Sequence, residues 1–169
     1  MQLAGQRVLV MGMGRSGISA AKYALSAGAK VTVTDTRDDA PRVSGATHRY
    51  GAHIRSDFTD ADLIIVSPGI PAAAPDIVAA QVAGVKVISE LGFAAEVIQA
   101  RNIPIIAIPG TNGKSSVTWF IGQLLEAAGH SVFVGGNLGV ALSELAASDE
   151  RPDFAVIEVS SYQLELPGG

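Results

Sequence analysis

No cysteine occurs in the 169 residues, so neither a disulfide framework nor a thiolate metal site is available to the chain. That absence suits a reducing compartment, and the cytoplasm is the expected location. Aromatic residues are sparse at 5%, and charged residues reach only 17%. Twelve Lys and Arg against sixteen Asp and Glu give a net charge of -4. The basic residues are scattered, so no positive field exists to hold nucleic-acid phosphates, and no nucleic-acid partner is expected. Long apolar runs are missing as well, although the mean hydropathy is +0.33. Runs such as Leu63–Val66 and Ile105–Ile108 stop far short of the roughly 18 residues that span a bilayer. Arg7 and Arg15 interrupt the region where a signal peptide would keep its apolar stretch, and no targeting segment or membrane partner is expected. Glycine, by contrast, is abundant at 19 residues, and 48% of the chain is apolar. That is enough to bury a core and excludes disorder.

Short aliphatic runs alternate with longer segments of helical spacing, the pattern of parallel strands covered by helices on both faces. Strands are expected over Arg7–Met11, Lys30–Thr34, Leu63–Val66, Lys86–Ser89, Ile105–Ile108, Ser131–Val134 and Phe154–Val159. Helices fit Ser16–Ala27, Ala73–Ala83, Glu90–Arg101, Lys114–Ala128 and Val140–Ala147. The polar stretch 36–60 holds a short helix and a short strand, expected around Ala52–Arg55.

Gly12-Met13-Gly14-Arg15-Ser16-Gly17 is a G-x-G-x-x-G turn between an apolar strand and a helix, with Asp35 at the end of the next strand. Gly12 permits the tight turn, Gly14 lets backbone approach an anion, and Gly17 allows close helix packing, while free N–H groups at the helix start face a diphosphate. On these residues alone the default ligand is NAD, with Asp35 on a ribose hydroxyl. A tight strand-to-helix turn without ligand is the plainer alternative. Ser67-Pro68-Gly69-Ile70-Pro71 follows the third strand at the same carboxyl edge, where it is either a ligand contact or a stiff Pro-Gly turn.

A second phosphate-type turn follows Ile105–Ile108: Pro109-Gly110-Thr111-Asn112-Gly113-Lys114-Ser115-Ser116. Successive backbone N–H groups of such a loop form an anion nest, Lys114 reaches the outer phosphates, and the Ser115 hydroxyl suits Mg²⁺. It departs from G-x-x-x-x-G-K-[ST] because Ile108 stands where the first glycine belongs. Glu158 closes an apolar strand where a nucleotide-binding sheet holds magnesium opposite the loop serine, unless it is a solvated strand-end carboxylate. Gly135-Gly136-Asn137-Leu138-Gly139 follows another strand at that edge, so Asn137 either reaches ligand or belongs to a plain glycine turn. Trp119 is expected in the core, and His48, His53 and His130 at the surface without metal-ligand spacing.

Each turn opens its own sheet, which gives an α/β chain of two units. A Rossmann-like, doubly wound parallel sheet is expected over 1–93, followed by the first part of a P-loop ATPase α/β domain over 94–169.

In combination, Gly110–Ser115, Gly135–Gly139 and Glu158-Val159-Ser160-Ser161-Tyr162-Gln163-Leu164-Glu165 resemble the Mur ligase family of peptidoglycan synthesis. The glycine turn, Asp35-Thr36-Arg37 and Ser67–Ile70 agree with the member that adds D-glutamate to UDP-N-acetylmuramoyl-L-alanine. The resemblance implies that the first unit binds the UDP-sugar rather than NAD, through Gly14, Arg15, Ser16, Asp35, Thr36, Arg37 and Gly69, with Asn137 on the muramoyl part. It implies ATP on Gly110, Thr111, Asn112, Gly113, Lys114, Ser115 and Ser116, with Lys114 and Glu158 catalytic, and Mg²⁺ on Ser115, Glu158 and Ser160. The implied reaction passes through an acyl phosphate that the amine of D-glutamate attacks. Ser116, Pro109 and Tyr162 depart mildly from the family pattern and remove no needed group. A histidine and a carbamylated lysine for a second magnesium, and the D-glutamate site, are expected beyond Gly169, so the chain alone is expected to be inactive. Two other readings stay open: an NAD-dependent oxidoreductase, which leaves the Gly110–Ser115 loop unexplained, and a P-loop nucleotide-binding module without ligation.

Overall fold

The computed structural model describes residues 2–137 and 139–166. Met1 and Pro167–Gly169, at the ends of the two expected units, and Leu138 of the expected glycine turn lie outside the described residues. In chain order the elements are β1 (Arg7–Met11), α1 (Arg15–Ser26), β2 (Lys30–Asp35), β3 (Thr47–Tyr50), α2 (Arg55–Thr59), β4 (Leu63–Val66), α3 (Pro75–Val82) and β5 (Lys86–Ser89). They continue as α4 (Glu90–Ala100), β6 (Ile105–Ile108), α5 (Lys114–Ala127), β7 (Val132–Gly136), α6 (Leu142–Ala147) and β8 (Phe154–Glu158), and a 3₁₀ turn over Ser161–Leu164.

The strands form two parallel sheets, one ordered β3-β2-β1-β4-β5 and one ordered β6-β8-β7. Their composition follows from burial. All four residues of β4 and the last four of β1 are buried, as strands with helices on both faces require. Register then places the chemistry. Met11 pairs with Thr34 on one side and Val66 on the other, so the Gly12 turn, Asp35–Arg37 and Ser67–Ile70 emerge at one carboxyl edge. In the second sheet Glu158 pairs with both Ile108 and Gly136, which brings the Gly110 loop and the Asn137 turn to the end of the central strand β8.

Two expectations are corrected. The short strand of 36–60 lies at Thr47–Tyr50 and the short helix at Arg55–Thr59, one on each side of the expected Ala52–Arg55. Thr47–Tyr50 alternates exposed and half-buried residues because it is an edge strand, where polar side chains blunt an open ladder. Trp119, expected in the core, is 54% exposed, beside Phe120 at 60% and Leu124 at 67%. Spacing marks α5 as amphipathic, but only Thr118 and Gly122 of this helix are buried.

The two sheets share a core. Leu142, Leu145, Ala146, Ala155 and Ile157 join Val8, Val10, Ala20, Ala24, Val97 and Ile98 in one buried cluster. The helix responsible is α6, which connects two strands of the second sheet yet packs between α1 and α4.

Candidate functional site

At the first turn, glycine is required by contact. Gly12 has φ +90°, and a Cβ there would meet Ile70 Cδ1 at 2.8 Å. A Cβ on Gly17 would come within 2.0 Å of the Gly12 carbonyl oxygen and 2.6 Å of Ser67 Oγ. The Ser67 hydroxyl itself donates to that carbonyl at 2.8 Å, so the two turns of this edge are braced together. Gly14 has open space around it and is exposed, the condition for a ligand to approach backbone.

Asp35 is buried, and its carboxylate is filled by neighbours. Oδ2 accepts from Met13 N at 2.7 Å and from Arg37 Nη2 at 2.9 Å, and Oδ1 from Arg37 N and Nε at 2.9 and 3.0 Å. Arg37 Nη2 also donates to the Met13 carbonyl at 3.3 Å, tying the residue after β2 to the glycine turn. These four donors take the roughly four lone-pair positions of a carboxylate, which leaves it no room to grip a ribose diol as in a dinucleotide site. Beside this brace a cleft of about 350 Å³ is lined by Gly12, Asp35, Thr36, His53, Gly69 and Ile70, among others.

The Arg37 guanidinium, joined by backbone N–H groups of Arg37 and Met13 and opposed by burial, holds the Asp35 carboxyl far below the usual carboxylate range. A group depressed in the folded state gives stability that is complete above its unfolded pKa, about 3.9, and is lost as pH falls toward the folded value. Asp35→Asn is therefore expected to lower the unfolding free energy by about 2 kcal/mol at neutral pH, and by progressively less below about pH 4. Urea unfolding across that range measures it, and a deficit equal at pH 7 and pH 3 contradicts the assignment.

The second turn is built around Glu158, 4% exposed at the end of β8. Its Oε2 accepts from the Ser115 hydroxyl at 2.6 Å, and its Oε1 from Asn137 Nδ2 at 3.1 Å. Those two bonds, with Lys114 nearby, hold its carboxyl below the usual range against the effect of burial. Gly110 at φ +149° and Gly113 at φ +75° give the left-handed backbone that turns successive N–H groups inward, and Gly113 is the N-cap of α5. Lys114 folds back so that Nζ donates to the Thr111 carbonyl at 3.3 Å. Thr111, Asn112, Ser115 and Ser116 are exposed along the loop. The donor set suits magnesium: a hydroxyl and a carboxylate, both hard oxygens, with the remaining coordination left to water and phosphate. Among the described residues no group of three or more His, Cys, Asp or Glu side chains forms a metal cluster.

A further cleft of about 270 Å³ is lined by Arg15 and Ser16 from the first turn, Gly136, Asn137 and Gly139 from the turn after β7, and Glu90, Glu144 and Gln163. Arg15 crosses it as an ion pair with Glu144 at 3.1 Å. Ser160 lies near this cleft through Gln163, whose Oε1 accepts from the Ser160 N–H at 2.9 Å and its hydroxyl at 3.0 Å. The structure thus gathers Arg15, Ser16 and Asn137 at one cleft, Asp35, Thr36 and Gly69 at the adjoining one, and Ser115, Asn137 and Glu158 in one bonded group. Sequence reasoning missed Glu90, Ser143 and Glu144. The only signal for Glu90 was a carboxylate directly after a strand, which also describes many solvated helix starts.

Residues 6–89 match the family described as Mur ligase MurD-like, N-terminal domain, and residues 108–168 match the Mur ligase middle domain. The UDP-N-acetylmuramoylalanine--D-glutamate ligase of Anaeromyxobacter dehalogenans is 47% identical over 172 residues, covering 97% of this chain and 36% of that protein. The protein of the same name from Geobacter metallireducens is 39% identical over 173 residues, covering 98% of this chain and 38% of its own length. The chain therefore spans little more than a third of these curated relatives. Among solved structures, the UDP-N-acetylmuramate-alanine ligase MurC of Thermotoga maritima shares the fold, with a TM-score of 0.52 at 21% identity over 92% of this chain and 37% of its own.

Proposed function

From the premise that the chain belongs to the Mur ligase family, we propose that it carries the nucleotide-sugar and ATP loops of a ligase joining D-glutamate to UDP-N-acetylmuramoyl-L-alanine. One observation carries this reading. The first phosphate-type turn faces the Asn137 turn of the other sheet across one cleft, Arg15 and Ser16 opposite Gly136 and Asn137, and Asn137 shares Glu158 with Ser115 of the second phosphate-type turn. An oxidoreductase needs the first turn only, and a simple nucleotide-binding module needs the second only. The filled carboxylate of Asp35 further disfavours NAD. Division into a UDP-binding unit over 1–93 and an ATP-binding unit over 94–169 goes with this reading, as does a cytoplasmic location. Among the described residues no helix is long and apolar enough to cross a membrane.

In the proposed reaction a carboxylate oxygen of the alanyl group attacks the γ-phosphorus of ATP and ADP leaves. The D-glutamate amine then attacks the acyl carbon, loses a proton and expels phosphate. The protein's part is positioning and charge neutralisation rather than covalent chemistry. Gly14, Arg15, Ser16, Thr36, Arg37 and Gly69 orient the UDP-sugar, with Asp35 holding Arg37. The Gly110–Ser116 loop cradles the triphosphate, and Lys114 neutralises charge on the transferring group. Asn137 faces the muramoyl part. Ser115 and Glu158, with Ser160 through a local shift from Gln163, would hold magnesium, which when bound supplies countercharge to the phosphates. In a chain carried to the full length of its relatives, ATP, Mg²⁺, UDP-N-acetylmuramoyl-L-alanine and D-glutamate are expected to give amide and ADP in equal amounts. Mass spectrometry of the nucleotide sugar checks this, and ADP release without amide contradicts it.

A further inference from the structure

The helix α6 is held at its C-terminal end by Arg101, which follows α4, and at its N-terminal end by Glu90 and Ser16 of the first unit. At its C-terminal end the Arg101 guanidinium donates to the carbonyls of Leu145, Ala146 and Ser148, groups that a helix end leaves short of partners. At the other end Ser143 N donates to Glu90 Oε1 at 3.1 Å, and the Ser143 hydroxyl donates to the Ser16 carbonyl at 3.2 Å. Glu90 is 2% exposed and Ser143 is fully buried. A carboxylate so placed is costly to bury unless it is hydrogen-bonded, and the Ser143 N–H supplies such a bond. Burial pushes its carboxyl up, as does Glu144, while Ser143 draws it down.

What Ser143 joins gives the bond its meaning. Ser16 belongs to the first turn. α6 is entered from the Asn137 turn, where Gly136 N donates to the Val140 carbonyl at 2.8 Å, and Asn137 reaches Glu158. We infer that Glu90 is a positioning residue for the proposed phosphoryl transfer: acting through Ser143, it fixes the Asn137 turn, and with it Glu158, against the turn that grips the nucleotide sugar. The inference rests on the ligase reading. Its physical basis is that phosphoryl transfer depends on the separation of two bound substrates, and a displacement of about 1 Å is enough to cost up to a hundredfold in rate. Neither loop needs Glu90 to bind its own ligand. Removing it misaligns two intact sites.

In the chain carried to its relatives' full length, Glu90→Ala is expected to lower kcat about tenfold while KM for ATP and for the nucleotide sugar each stays within about twofold. The measurement is made where circular dichroism shows the variant folded. Glu90→Gln keeps an oxygen that accepts from Ser143 and is expected to restore at least about half of kcat. Should Glu90→Ala not fold, Ser143→Ala, which keeps the N–H bond to Glu90 and removes the hydroxyl that links to Ser16, is expected to show the same split. Unchanged kcat, a loss shared by kcat and both KM values, or no rescue by glutamine overturns the inference. An inactive parent would instead overturn the ligase reading, and the positioning role is then read by hydrogen exchange on the 169-residue chain. Glu90→Ala is expected to speed exchange across residues 136–147 about tenfold or more, with 8–11 and 105–108 unchanged. Equal exchange in parent and variant overturns the role there too.

Discussion

Lys114→Ala, in a chain carried to the full length of its relatives, is expected to slow ligation at least about a hundredfold, a transition-state deficit of about 3 kcal/mol. Lys114 opens α5 directly after a left-handed Gly113, and its ammonium turns back over the loop to the Thr111 carbonyl. Its bond to the Thr111 carbonyl, at 3.3 Å, is long and easily exchanged for a phosphate oxygen. Charge on the transferring group grows toward the transition state, and a preorganised cation meets it without reorganisation cost. Lys114→Arg is expected to fail as well, because a planar fork does not replace a compact ammonium within a tight nest. UDP-sugar affinity, set at the other turn, stays within about twofold. If Lys114→Ala keeps more than about a tenth of the rate, a deficit of only some 1.4 kcal/mol, the phosphate-loop assignment fails.

Glu158→Gln is expected to have a comparable effect for a different reason. The amide oxygen still accepts from Ser115, so the local shape survives, but the charge that would face magnesium is gone. Because the Ser115 and Asn137 bonds hold the native carboxyl below the usual range, Glu158 stays ionised at neutral pH, ready for a divalent cation. A loss of at least about a hundredfold in rate, with a rise in the Mg²⁺ concentration for half-maximal activity, is the expected result. Kinetics over a magnesium series measure both. An unchanged magnesium dependence would remove Glu158 from the metal site.

Both turns were legible because their chemistry needs residue types that punctuate a sequence. Gly12, Gly14 and Gly17 follow a strand of buried aliphatics, and the contacts a Cβ would make at Gly12 and Gly17 explain why nothing larger stands there. Gly113-Lys114-Ser115 announced itself in the same way, even with Ile108 in place of a glycine. What stayed hidden is whatever depends on a partner that hydrophobic spacing does not name. The alternation of α6 shows that it buries a face, yet nothing in Leu142–Ala147 says that the face meets α1 and α4 instead of its own sheet. Glu90 and Ser143 gained their meaning only through that packing. Trp119 misled for the opposite reason: a large apolar residue on a helix invites a place in the core, and the described residues leave it exposed on α5. The edge strand Thr47–Tyr50 was displaced in the reading because its polar alternation looks like a loop.

The central claim is that the Gly12–Gly17 turn, with Asp35 already filled by Arg37 and Met13, serves a UDP-sugar and not a dinucleotide. Calorimetric titration of the 169-residue chain with UDP-N-acetylmuramoyl-L-alanine and, in parallel, with NAD tests it most directly. Binding of the nucleotide sugar at least about tenfold tighter than NAD, a difference of about 1.4 kcal/mol, is the predicted result. Tighter binding of NAD would contradict it.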